Sequence, residues 1–164
     1  MLNKDGESSA TSVSSIDIHD FARTCAFYDV APVYIIHPAA AMQSFVHELT
    51  GHWLKGKRGT LNPGRREVMQ QIKVVADLRD VFKDEDYQLW YTSAEPPEGA
   101  ALVSPASLCE KEGKHLIVFG TGHGLDVNHL PAENGWLFSI EGMGKVRHLS
   151  VRAALAIYLD RLSR

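Results

Sequence analysis

The sequence predicts an α/β fold, a largely parallel sheet with helices on both faces, and three observations point to it. Short, continuously apolar runs, "PVYIIHP", "YQLWYTSA", "KHLIVFG" and "GWLFSIE", alternate with stretches of helical periodicity. Strands without polar alternation are buried on both faces, as they are where crossover helices cover a parallel sheet. The 164 residues, 45% hydrophobic and 23% charged, suffice for one domain with a sizeable core, so a single domain over residues 1–164 is expected.

Taken in order, residues 1–13 are polar and read as a loose lead-in, not as a secretory signal. Ser15 suits a helix N-cap, and Ile18, Phe21, Ala22 and Cys25 follow at helical spacing. "PVYIIHP" is a strand bounded by prolines, and the next helix carries Met42, Phe45, Val46, Leu49 and Trp53 on one face. "LNPG" breaks the chain. "VMQQIKVVADL" is strand-like in its early part and leads into an acidic helix through about Asp84. "YQLWYTSA" is a strand, "EPPEGA" a loop, and Ser104 and Pro105 suit the N-cap and N1 positions of a short helix. The strand "KHLIVFG", a glycine loop, a short polar helix, the strand "GWLFSIE", a second glycine loop and the helix "LSVRAALAIYLDRL" complete the chain.

The formal net charge is −3, which argues against a surface coated in positive charge for general nucleic-acid binding. Cations are concentrated locally instead. "LKGKRGTLNPGRR" carries Lys55, Lys57, Arg58, Arg65 and Arg66 with no acid among them, and "KVRHLSVR" carries Lys145, Arg147, His148 and Arg152. No apolar stretch approaches the roughly 18 residues of a membrane span, so none is expected. Cys25 and Cys109 lie far apart without CxxC spacing, which fits a reduced, cytoplasmic protein. "HELTGH" does not make a zinc site: His47 and His52 are five apart, which turns the second roughly 140° off the face that HExxH uses. No metal is expected.

Gly120, Gly122 and Gly124 fall at alternate positions directly after an apolar run. No Lys-Ser/Thr follows, as a P-loop requires, and the spacing is not GxGxxG. Two readings remain: a ligand approaching the backbone closely, or a tight turn. Ligands of parallel α/β folds bind at the carboxyl ends of strands, which places candidate loops after Thr92, Phe119 and Ile140. Free N–H groups at the start of the last helix face the same end. Arg23 sits off the apolar stripe of the first helix and by pattern alone is a surface arginine.

Three segments together resemble the SPOUT class of RNA methyltransferases, and most closely a bacterial family of S-adenosylmethionine (SAM)-dependent RNA methyltransferases related to the tRNA ribose methyltransferases. "IDIHDFARTCAFYDV" resembles the first motif, "VFGTGHGL" the second and "IEGMGKVRHLSVRAALAI" the third, in the family's order and over nearly the whole chain. The resemblance implies a C-terminal trefoil knot and SAM held bent against three loops. Thr92, Ser93 and Ala94 would form one wall. Phe119, Gly120, Thr121, Gly122 and Gly124 would form the second, and Ile140, Gly142, His148, Leu149 and Ala154 the third. Backbone groups at Phe119, Gly120, Ile140 and Leu149 would read the adenine.

The resemblance also implies an RNA substrate, tRNA or rRNA, methylated on a ribose 2′-OH or a base nitrogen. Arg23 would be the catalytic residue on the acceptor side, positioning phosphate or ribose, with proton abstraction as the other option. Arg58, Arg65, Arg66, Arg147 and Arg152 would contact RNA. A homodimer is implied, with sites built across two copies, and the helices around Phe21 and around Leu155 and Tyr158 are expected to form it. Ser150 stands where the ribose methyltransferases usually have asparagine, which keeps ribose and base both open. The family's first apolar strand would precede "LNKDG", so the domain is expected to lack it. A catalytically silent RNA-binding or assembly module on the same scaffold is the alternative function. A nucleotide-binding flavodoxin-like domain is a third reading, without a knot.

Overall fold

The computed structural model describes residues 9–55, 57–83, 85–132 and 134–164, with Arg58 in its backbone alone. Residues 1–8 of the lead-in over 1–13, the strand expected to be missing ahead of it, Asp84 at the expected helix end and the Arg58 side chain lie outside the described residues. The chain divides into two compact units, the described residues of Ser12–Asp84 and those of Met1–Thr11 with Glu85–Arg164.

In the unit Ser12–Asp84, helix α1 spans Ser15–Phe27. Its N-cap is Ser14, one residue before the expected Ser15: Ser14 is extended (φ −99°, ψ 152°) and its hydroxyl accepts a 3.2 Å hydrogen bond from Asp17 N. Asp29 at φ 54° turns the chain away after the helix. Strand β1 (Val33–Ile36) pairs in parallel with β2 (Ile72–Val75), Val33 opposite Ile72. Between them run α2 (Ala40–Leu54), α3 (Lys57–Leu61) and α4 (Pro63–Gln70).

The break at "LNPG" is real, but it separates two helices. Asn62 caps α4, its side-chain oxygen accepting from Arg65 N at 3.1 Å, and Pro63 opens the helix. Val68 to Gln70 therefore finish α4 and are not the start of a strand, and β2 begins only at Ile72. Of the basic stretch, Lys57 and Arg58 lie in α3 and Arg65 and Arg66 in α4. The expected acidic helix is a 3₁₀ helix, Leu78–Lys83. Ile18, Ala22, Ile35, Val46 and Met69 form the core, with Phe21, Phe45, Leu49 and Trp53 packed against it, as the periodicities of α1 and α2 require. Burial pushes the Cys25 thiol up to about 11, which leaves it a small apolar core group.

His19 is a weak point of this unit. Its Nδ1 is buried without a hydrogen-bond partner among the described residues, and its ring meets Trp53 edge-on at 5.8 Å. Burial first, then Arg65, hold its pKa below the ordinary imidazole value; Arg23 acts in the same direction and Asp20 against it. The unfolded chain therefore takes up a proton below about pH 6.5 that the folded chain resists, so stability is lost as pH falls. Chemical denaturation at pH 7 and pH 5 is expected to show a lower midpoint at pH 5, with a smaller drop in His19→Gln. An equal drop in both proteins would remove His19 from the account.

The unit containing Glu85–Arg164 carries β3 (Tyr87–Tyr91), β4 (Leu102–Val103), α5 (Pro105–Leu108), β5 (Lys114–Val118), β6 (Gly135–Leu137) and α6 (Val151–Leu162). All pairs in its sheet are parallel, in the order β4-β6-β3-β5. β4 was not anticipated: its two residues pair with Trp136 and Leu137 directly after the "EPPEGA" loop. The short polar helix is a 3₁₀ turn, Val127–His129, capped by Asp126. Ser104 and Pro105 take the expected positions at α5, and Ser150 caps α6 by accepting from Ala153 N at 3.3 Å. Trp90, Leu108, Leu137 and Tyr158 are the core. The predicted class, α/β with parallel strands, holds, and the strands are distributed over two sheets.

Candidate functional site

Because β3, β5 and β6 run in the same direction, the loops that leave them emerge at one edge of the sheet. Side chains then tie those loops together. Thr92 donates twice to Val118 O, from its N–H at 3.1 Å and its hydroxyl at 2.9 Å, so the loop after β3 is fixed to the end of β5. The Ser139 hydroxyl donates to Ser93 O at 3.1 Å, which fixes the loop after β6 to the loop after β3. From α6 the Tyr158 hydroxyl donates to Phe138 O at 3.0 Å, and its ring meets Phe119 edge-on at 5.8 Å. Phe119, Ile140 and Ala154 pack against the same core. The structure thus brings together Thr92, Ser93, Phe119, Ile140 and Ala154, drawn from all three predicted walls.

The glycines of the loop differ in what surrounds them. A Cβ on Gly120 would meet Leu125 Cγ and Leu125 N at 3.0 Å and Gly124 C at 3.1 Å, so a side chain here would crowd the loop's own backbone. Gly124 N donates to Thr121 O at 3.2 Å, closing a turn in which Gly122 has φ 61°. At Gly124 (φ 101°) nothing lies within 4 Å of the Cβ position, so the backbone there is open to an approaching ligand. The Thr121 and Thr11 hydroxyls pair at 2.5 Å.

Gly142, His148 and Leu149 lie on the exposed stretch of residues 141–150, as does Arg147, and Leu149 is 49% exposed. Arg152 is half-buried in the first turn of α6, and Ala94 is exposed just beyond Ser93. A cavity of about 590 Å³ opens between the loops after β3 and β6, lined by Pro96, Pro97, Phe138, Ser139, Glu141 and Arg161 among others. None of these lining residues was predicted. Their signal is weak, since "EPPEGA" reads as a plain loop and Arg161 as the polar end of a core helix.

Arg23 belongs to the other unit. It is exposed on α1 and lines, with Asp20, Thr24 and Phe27, a cavity of about 300 Å³. Arg65 and Arg66 lie in α4: Arg66 is exposed, whereas the Arg65 guanidinium sits 4.9 Å from the Trp53 ring centre, a cation–π contact that fixes it. The expected dimer surface needs correcting. Leu155 and Tyr158 are only 6% and 2% exposed because they are buried within their own unit, so the apolar surface expected at these two residues is covered there.

The model of the family described as SAM-dependent RNA methyltransferase matches residues 1–164, the full length of the chain. The chain belongs to this SAM-dependent RNA methyltransferase family. The resemblance carried by the three sequence motifs is borne out, and with it the cofactor that the family uses. The chain is 36% identical over 164 residues to a tRNA (guanine-N(1)-)-methyltransferase of Nitratidesulfovibrio vulgaris, an alignment covering 97% of this chain and 39% of that protein. The chain thus spans well under half of that relative's length. Among solved structures it is similar to a probable methylase family protein from Haemophilus influenzae (TM-score 0.66, 19% identity, 92% of this chain and 61% of that one). It is also similar to the Aquifex aeolicus TrmH/SpoU tRNA modifying enzyme (TM-score 0.56, 17% identity, 93% and 70%). At these identities the likeness is one of fold alone.

Proposed function

We propose that this chain binds SAM on the three loops that follow β3, β5 and β6 and transfers its methyl group to tRNA. The observation that carries this reading is the fastening of those loops to one another and to α6 through Thr92, Ser139 and Tyr158, in a chain that the family matches from end to end. The residues present fit the cofactor. Phe119 and Ile140 supply apolar surface, and Gly124 leaves backbone uncovered. Backbone groups of Phe119, Gly120, Ile140 and Leu149 would hold the adenine, with Thr92 to Ala94 as the facing wall. Thr121, Gly122, Gly142, His148 and Ala154 complete the shell. SAM brings an activated methyl group, so the protein's task is to align the acceptor.

Arg23 takes the acceptor side. Arginine is a poor base, and its planar fork of N–H donors suits it to hold a phosphate or ribose oxygen. Arg58, Arg65, Arg66, Arg147 and Arg152 supply local cations that the overall charge of −3 does not. tRNA is favoured over rRNA because the Nitratidesulfovibrio relative bears a tRNA methyltransferase name, and a guanine ring nitrogen is the acceptor to look for first. The fold reading extends to a C-terminal trefoil knot, one domain over residues 1–164, and a homodimer whose sites draw on both copies. The two cysteines fit a reducing, cytoplasmic setting.

The test is incubation of the chain with methyl-labelled SAM and unfractionated tRNA, followed by nucleoside mass spectrometry. One labelled nucleoside is expected. No SAM binding and no labelled nucleoside, with tRNA still bound, would instead favour the silent RNA-binding module.

A further inference from the structure

We propose that Phe27 is a stacking platform for one base of the RNA, next to the phosphate or ribose that Arg23 holds; this rests on the RNA methyltransferase reading above. Asp20, Arg23, Thr24 and Phe27 stand at positions i, i+3, i+4 and i+7 of α1, a single stripe, and together line the cavity of about 300 Å³. The residues Ile18, Ala22 and Cys25 of the same helix are buried, so the stripe faces away from the unit's core.

Phe27 is 81% exposed at the end of this stripe, and its ring is braced at 5.0 Å and 81° against Tyr28. A braced, solvent-facing phenyl one helical turn from an arginine matches the chemistry of a single nucleotide. The base offers a π face, the backbone an anion, and Thr24 and Asp20 add hydrogen-bonding oxygens for a ribose hydroxyl or an amino group. Proteins that recognise unstacked RNA bases use aromatic side chains in this way, and every base can stack.

The competing occupant is a second copy of this chain resting on the same ring. The two differ in what they ask of residue 27. Stacking needs an aromatic face, whereas an apolar contact between copies tolerates leucine and shows in the mass. The full chain and its Phe27→Ala, Phe27→Leu and Phe27→Trp variants are titrated with labelled unfractionated tRNA at several salt concentrations, alongside SAM affinity and mass by light scattering.

Expected is a loss of roughly 5- to 100-fold in RNA affinity for both Phe27→Ala and Phe27→Leu, with Phe27→Trp within about twofold of the unaltered protein. The slope of log affinity against log salt should stay unchanged, because no phosphate contact is removed. SAM affinity should not move. Leucine behaving as phenylalanine, or a change in mass with RNA affinity intact, would overturn the proposal. If the unaltered chain methylates tRNA and Phe27→Ala binds it equally well, the stacking role alone falls. If the unaltered chain neither binds nor methylates tRNA, the RNA reading falls and this proposal with it.

Discussion

Arg23→Ala is expected to slow methyl transfer about 100-fold in a single turnover on saturating RNA, while RNA affinity drops by less than about tenfold. The asymmetry follows from the proposed role. A group that aligns the acceptor contributes more at the transition state than in the bound complex, so its removal appears in the rate more than in the dissociation constant. Arg23 is exposed and its side chain packs into no core, so the fold should tolerate the change. Loss of Arg66 should look different: weaker RNA binding, a shallower salt dependence and an unchanged rate once RNA is saturating. A normal rate in Arg23→Ala would reduce Arg23 to the surface arginine that its sequence pattern alone suggests.

Gly120→Val is expected to destabilise the chain by about 1–3 kcal/mol and to lose SAM affinity with it. The cause is internal. The new Cβ would stand 3.0 Å from Leu125 N and 3.1 Å from Gly124 C, backbone atoms of the same loop that cannot step aside as a side chain can. A urea titration should show a lower midpoint with an unchanged slope, and calorimetry should show weakened binding of SAM. Unaltered stability combined with lost binding would mean that Gly120 is kept clear for the ligand and not for the loop.

These glycines show what a sequence can and cannot carry. "VFGTGHGL" announces a special loop, but not which glycine closes it and which leaves it open; that depends on Leu125 folding back over Gly120. The strands were legible where an apolar run marks them, as in β3, buried over Leu89 to Tyr91, and in β5, partly buried over His115 to Val118. β4 was not, since two residues are too few to make a pattern. The start of β2 was misplaced because Asn62 and Pro63 launch a helix that runs on through residues of good strand propensity. Leu155 and Tyr158 were placed on a dimer surface because composition marks a helix face as apolar without saying whether its own core or another copy covers it. The site fared similarly. The motifs named Phe119, Ile140 and Ala154 as candidates and the strand end named Thr92, whereas the fastening by Ser139 and Tyr158 depends on hydroxyls that meet carbonyls only after the strands align.

The central claim is that SAM sits on the three loops, and titration of the isotopically labelled chain with SAM, followed by amide resonances, tests it most directly. The account predicts saturable shifts at one SAM per chain, shared by amides of Thr92 to Ala94, Phe119 to Gly124 and Ile140 to Gly142. Shifts confined to residues outside these three loops, or none at millimolar SAM, would contradict it.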